Sequence, residues 1–124
     1  MIRKFFIISI LLCSVAVSKA QSVSCIEERG SWVYVYDEKG KKISTQSVSS
    51  VGSVKGWSST FWVSKKGNWY YLWTPKGKRY KTMSAENMGE VIGVSGNTFT
   101  TRRGNWVYTY DQNGKRLSSR YSAR

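Results

Sequence analysis

The sequence predicts an all-β protein made of three copies of one antiparallel unit, and three observations carry that prediction. Trp32, Trp69 and Trp106 stand 37 residues apart, as do Gly30, Gly67 and Gly104, and Gly40, Gly77 and Gly114. The runs WVYVY (32–36), WYYLW (69–73) and WVYTY (106–110) are dense in the β-branched and aromatic residues that favour strands. Beyond the first twenty residues, no long apolar pattern of helical period occurs. A repeat of this length marks a supersecondary unit stacked on copies of itself, because one such unit cannot bury its own faces.

The first element is of another kind. Arg3 and Lys4 precede the apolar run FFIISILLCSVAV (5–17), and Ser18-Lys19-Ala20 supplies small residues where a signal peptidase cuts. The run falls short of the roughly 20 apolar residues that a spanning helix needs. Bulky Leu12 stands before Cys13, where a lipid-modified cysteine wants a small residue. Residues 1–20 therefore read as a secretory signal, with Gln21 as the mature N-terminus and no integral membrane span after cleavage. Loss of Arg3, Lys4 and Lys19 leaves 104 residues with 17 basic and 7 acidic side chains, a net charge of +10. The expected location is periplasmic or secreted. Residues 21–124 read as a single β-repeat domain, with units of about 21–50, 51–87 and 88–124, the first and last incomplete.

Each unit divides into four short strands, in the last copy Val91–Val94, Thr98–Arg102, Trp106–Tyr110 and Lys115–Ser119. The segment VKGWSSTFWVSKKG (54–67) aligns without gaps on VIGVSGNTFTTRRG (91–104). ERGS, KKGN and RRGN set Gly-Ser or Gly-Asn between two strand-like runs, the chemistry of a two-residue hairpin turn with positive φ. DEKG, TPKG and DQNG carry Asp or Thr first and Gly fourth, which fits a type I turn. The most helix-like stretch, MSAENMGE (83–90), reads as a connection between units.

In the third strand, alternation puts Trp32, Tyr34 and Tyr36 on one face and Val33 and Val35 on the other. A sheet with one wet face shows polar residues at every second position. This strand does not, so neighbouring units are expected to cover both faces. The in-register Trp32, Trp69 and Trp106, and Tyr34, Tyr71 and Tyr108, then read as core between units. The unrepeated Trp57, Trp73, Tyr80 and Tyr121 read as exposed, and Cys25, aligned with Trp62 and Phe99, as a buried thiol.

The segment WVYTYDQNGKRLS (106–118) resembles the third and fourth strands of bacterial β-propeller blades, in which an apolar strand runs into Asp-x-x-Gly-Lys. The resemblance implies blades packed face to face. Propellers use about four to eight blades, so three units would either close a ring with another copy, as a homo-oligomer, or form a twisted sheet or barrel. An outer-membrane barrel needs strands of about 9–11 residues, longer than these.

The chemistry present is narrow. The chain has no histidine, and Cys25 is its single mature cysteine. Asp37 and Asp111 begin turns whose counterpart begins with Thr74, which suits capping of backbone amides. Glu27 and Glu28 fall where the other units carry Ser64/Lys65 and Thr101/Arg102, and Glu86 and Glu90 lie in a connection. No convergent carboxylate pair emerges, and no enzyme activity, cofactor or metal is expected.

Cations and aromatic rings dominate instead. Lys41, Lys42, Lys78, Arg79, Lys115 and Arg116 follow the glycine of one turn, and Lys65, Lys66, Arg102 and Arg103 precede that of the other. Consecutive turns of a meander lie at opposite ends, so the charge is expected to form two rims. Solvated turns that deter edge pairing are one reading. The other is an anion-binding rim of Lys41, Lys42, Lys78, Arg79, Lys115 and Arg116 with Trp57, Trp73 and Tyr80 as stacking partners. The expected function is non-enzymatic binding of a glycan or anionic surface polymer outside the cytoplasm. An inhibitor, immunity or exclusion factor that binds an acidic protein is the first alternative, and extracytoplasmic nucleic-acid binding the second. A repeated site favours a repeated ligand.

Overall fold

The computed structural model describes residues 22–123, and the signal read from residues 1–20 lies outside them. The fold is all-β. The first unit holds β1 (Cys25–Arg29), β2 (Trp32–Tyr36) and β3 (Lys42–Ser47). The helical turn α1 (Val48–Val51) leads to β4 (Ser53–Trp57), β5 (Trp62–Lys66), β6 (Trp69–Trp73) and β7 (Arg79–Ser84). A second turn, α2 (Ala85–Met88), leads to β8 (Glu90–Ser95), β9 (Thr98–Arg103), β10 (Trp106–Asp111) and β11 (Arg116–Tyr121). These form three antiparallel meanders, β1-β2-β3, β4-β5-β6-β7 and β8-β9-β10-β11, none of them closed.

The 37-residue step extends to the irregularities. Bulges interrupt the last pairing of each unit at Val35/Tyr36, Leu72/Trp73 and Thr109/Tyr110, and the first pairing at Val54/Gly56 and Val91/Gly93. Both turn types are as the residues require. Gly67 has φ +63° while no residue other than glycine has positive φ among the described residues, so the Gly-Asn pair makes a type II′ hairpin turn. At the other end the Asp37 carboxylate accepts from the amides of Lys39 and Lys41, each at 2.9 Å. Asp111 does the same for Asn113 and Lys115, and the Thr74 hydroxyl accepts from Lys78 at 3.0 Å.

Both connections between units are single helical turns, of which α2 falls inside the helix-like stretch and α1 had no sequence signal. Ser47 and Ser84 cap them, accepting from Ser49 and Asn87. Gly52 and Gly89 end them with φ +84° and +91°, pressed so close to β5 and β9 that a Cβ would strike the carbonyls of Lys65 and Arg102. Each unit also ties its exit to its own hairpin tip: Val48, Ala85 and Ser122 donate to the carbonyls of Ser31, Asn68 and Asn105.

The sheets stack in one sense. Each has a forward face, packed on the next unit, and a rear face, packed on the one before. Ile26, Val33 and Val35 on the forward face of the first unit meet Trp62 and Trp73 on the rear face of the second. Val63, Tyr70 and Leu72 on the forward face of the second meet Phe99 and Tyr110 on the rear face of the third. The rear faces repeat an aromatic stack, Trp62 on Trp73 at 5.0 Å and Phe99 on Tyr110 at 5.3 Å. Buried aromatic rings remove about 150–250 Å² each from water, so these two junctions are the core. The Tyr70 hydroxyl fastens the second junction, donating to the carbonyl of Gly89 and accepting from the amide of Val91.

Among the described residues, two faces have no neighbouring sheet: the rear of the first unit and the forward face of the third. There packing residues change, although Val107 stays apolar and buried. Cys25 stands in place of Trp62 and Phe99, and Thr100 and Thr109 stand in place of Val63 and Leu72. The thiol expected to be buried is therefore exposed, because among the described residues no sheet packs on the face that carries it.

Candidate anion-binding face

The rear face is also where the repeated polar chemistry gathers. At the bulge, the first residue of each last strand opposes an aromatic residue: Lys42 opposes Tyr36, Arg79 opposes Trp73 and Arg116 opposes Tyr110. Its long side chain then reaches the tyrosine two residues back on the same face, a diagonal contact within range of such residues. The Lys42 ammonium lies 4.8 Å from the Tyr34 ring centroid, the Arg79 guanidinium 4.4 Å from Tyr71, and Arg116 5.0 Å from Tyr108. One cation–π pair is thus built three times.

A second cation approaches from the other end of the strand. Arg29, Lys66 and Arg103 oppose Trp32, Trp69 and Trp106 across the hairpin. In the first unit Arg29 also lies 4.8 Å from the Tyr34 ring, so that ring carries a cation on either side in sequence. Arg29 is held besides by Glu27, 3.4 Å from its Nε. In the second unit Lys66 and Arg79 line a recess of about 380 Å³ together with Tyr71, Trp73 and Ser50. In the third, Arg116 opposes Tyr110 directly; burial raises the pKa of that tyrosine, while the positive charges of Arg116 and, more weakly, Arg103 pull it down.

The sequence expectations divide here. Lys42, Arg79 and Arg116 do reach the aromatic face. Lys41, Lys78 and Lys115 do not join them; their side chains are exposed at the turn, and their backbone carbonyls accept from Asp37, Thr74 and Asp111. The two-rim picture needs correction, since Lys66 and Arg79 come from opposite ends of the sheet and line one recess. Their neighbours are engaged elsewhere: Lys65 lies 5.8 Å from the Tyr70 ring, and Arg102 donates to the carbonyl of Ser122.

Trp73, expected at the surface, is buried; its indole N–H donates to Ser64 and its ring lies on Trp62. Trp57 and Tyr80 are exposed but act as clamps, Trp57 donating to the Ser24 carbonyl and Tyr80 to that of Gln112. The largest correction concerns Trp32, Trp69 and Trp106. Read as core, they are 48, 49 and 45% exposed. They sit next to the hairpin tips, which in the second and third units lie past the part of the rear face that the preceding unit covers.

A comparison among the units could have found them. Where a face has no neighbour, packing residues change, as Cys25, Thr100 and Thr109 show. Trp32 and Tyr34 lie on an equally uncovered rear face and are unchanged. Packing on a neighbouring unit accounts for Tyr71 and Tyr108, which lie against the two junction cores, but not for Trp32 and Tyr34.

The chain matches no family model, no curated protein and no solved structure, so nothing in these comparisons supports the blade resemblance. Among the described residues, no helix is long and apolar enough to cross a membrane, and no three of His, Cys, Asp and Glu gather as a metal site would require.

Proposed function

We propose that this is an exported, non-enzymatic protein that binds a glycan or anionic surface polymer along the rear faces of its three units. The observation that carries this reading is the threefold cation–tyrosine pair, Lys42 on Tyr34, Arg79 on Tyr71 and Arg116 on Tyr108, kept even on the unit with no neighbour over that face. A guanidinium laid on a ring is held in place before any ligand arrives, so less freedom is lost when it meets an anion. Its N–H edge remains free to pair with a carboxylate, sulfate or phosphate. Repetition lets one polymer engage several units, and avidity then exceeds the affinity of any one of them. The turn carboxylates Asp37 and Asp111 are occupied with backbone amides and, among the described residues, form no salt bridge with these cations. Export rests on the signal read from residues 1–20, and N-terminal sequencing that begins at Gln21 is its check.

The test compares two triple variants that remove equal charge at adjacent positions. Lys42→Gln/Arg79→Gln/Arg116→Gln should lose retention on immobilised dextran sulfate at low salt. Lys41→Gln/Lys78→Gln/Lys115→Gln should elute close to wild type, shifted only as its lower charge dictates. Equal losses would mean a basic protein without a site.

A further inference from the structure

Each hairpin tip presents an exposed tryptophan directly opposite an exposed cation: Trp32 with Arg29, Trp69 with Lys66 and Trp106 with Arg103. At 45–49% exposure each tryptophan keeps about half of its surface open to a stacked ring, and at Trp106 the Tyr121 ring lies edge-on at 5.6 Å. The units stack in one sense, and in each of them the exit from the last strand bonds back to its own tip.

From this we infer that the tips bind an acidic polysaccharide whose carboxylates are carried on the sugar rings, a polyuronate, with successive rings stacked on Trp32, Trp69 and Trp106. The inference rests on the anionic-polymer reading above and narrows it. The spacing within each tip favours one ligand class. Directly opposed residues in an antiparallel pair have Cβ atoms about 4.5–5.5 Å apart, which suits an anion carried on the stacked ring itself or next to it. A uronate meets that condition. In a nucleic acid the pentose intervenes between the stacked base and its phosphate.

The experiment titrates the exported chain with polygalacturonate, with its methyl ester and with single-stranded oligo(dT), by calorimetry at fixed ionic strength. Polygalacturonate should bind, and should shield the wild-type tryptophans from acrylamide quenching. Trp32→Ala/Trp69→Ala/Trp106→Ala keeps every charge and should bind about tenfold or more weakly, with circular dichroism checking its fold. Unweakened binding by that variant, or unchanged quenching in the wild type, overturns the stacking inference and leaves the charge-based reading standing. Equal affinity for the methyl ester overturns the role of the carboxylate. Tighter binding of oligo(dT) overturns the polyuronate in favour of a nucleic acid. Failure of the wild type to bind any polyanion removes both proposals together.

Discussion

The guanidinium of Arg79 lies 4.4 Å from the centroid of the Tyr71 ring, on the open part of a sheet face whose other part is buried under the preceding unit. One face thus serves two purposes. Trp62 and Trp73 hold the units together, while Tyr71 with Arg79, and Trp69 with Lys66, remain in contact with solvent. This division fixes which substitutions should cost stability and which should cost binding.

Trp69→Ala should reduce stability by about 1 kcal/mol, because roughly half of the ring is already in water in the folded protein. Tyr70→Ala, one residue on and fully buried, should cost about 3–5 kcal/mol as its ring and both hydroxyl bonds are lost. Urea denaturation of the two variants measures the difference. Equal losses would place Trp69 in the core.

Gly89→Ala and Gly67→Ala separate strain from collision. Both glycines have positive φ, which costs about 1 kcal/mol for a residue with a Cβ. At Gly67 nothing lies within 4 Å of the added carbon, whereas at Gly89 it meets the Arg102 carbonyl. Thermal unfolding should show a clearly larger loss for Gly89→Ala, and Gly52→Ala should follow it.

Cys25 is exposed and should react with a thiol reagent in the native protein, without denaturant. Peptide mapping after labelling would locate the adduct. Cys25→Ser should leave the denaturation midpoint nearly unchanged, as expected for an exposed position. A residue that reacts only after unfolding would mean that the rear face of the first unit is covered in solution.

Although Tyr80 as a whole is 37% exposed, desolvation of its hydroxyl against the third unit, reinforced by the negative charge of Asp111, raises its pKa to about 12. The sign of the stability effect follows. An unfolded tyrosine loses its proton near pH 10, so between about pH 10 and 12 the unfolded chain binds fewer protons than the folded one, and stability falls as pH rises. Below pH 10 the contribution is complete. Tyr80→Phe should flatten this decline, and spectrophotometric titration should show one tyrosinate fewer among the late-ionising phenols. An unaltered high-pH profile would remove Tyr80 from the clamp between the second and third units.

How much of this was legible depends on the range over which each feature is decided. The strands, both turn types and the 37-residue unit follow from local rules: glycine where φ is positive, aspartate where amides need an acceptor, β-branched and aromatic residues between. Those choices are made within a few residues and can be read along the chain. Alternation also correctly separated Val33 and Val35 from Trp32, Tyr34 and Tyr36.

Which part of each face would be covered was decided only by stacking. Trp62 and Trp69 belong to the same rear face, yet the forward face of the first unit reaches one and stops short of the other. Repetition in register looks the same whether a residue packs between units or is displayed by each of them, so Trp32, Trp69 and Trp106 read as core from the sequence. Cys25 misled for a related reason: its aligned partners are buried by a preceding sheet, and among the described residues none precedes the first unit. The sequence by itself determined the unit and its turns, because backbone conformation answers to neighbouring residues. The tertiary structure decided burial, and with it the candidate site, because burial depends on a surface contributed from about 37 residues away along the chain.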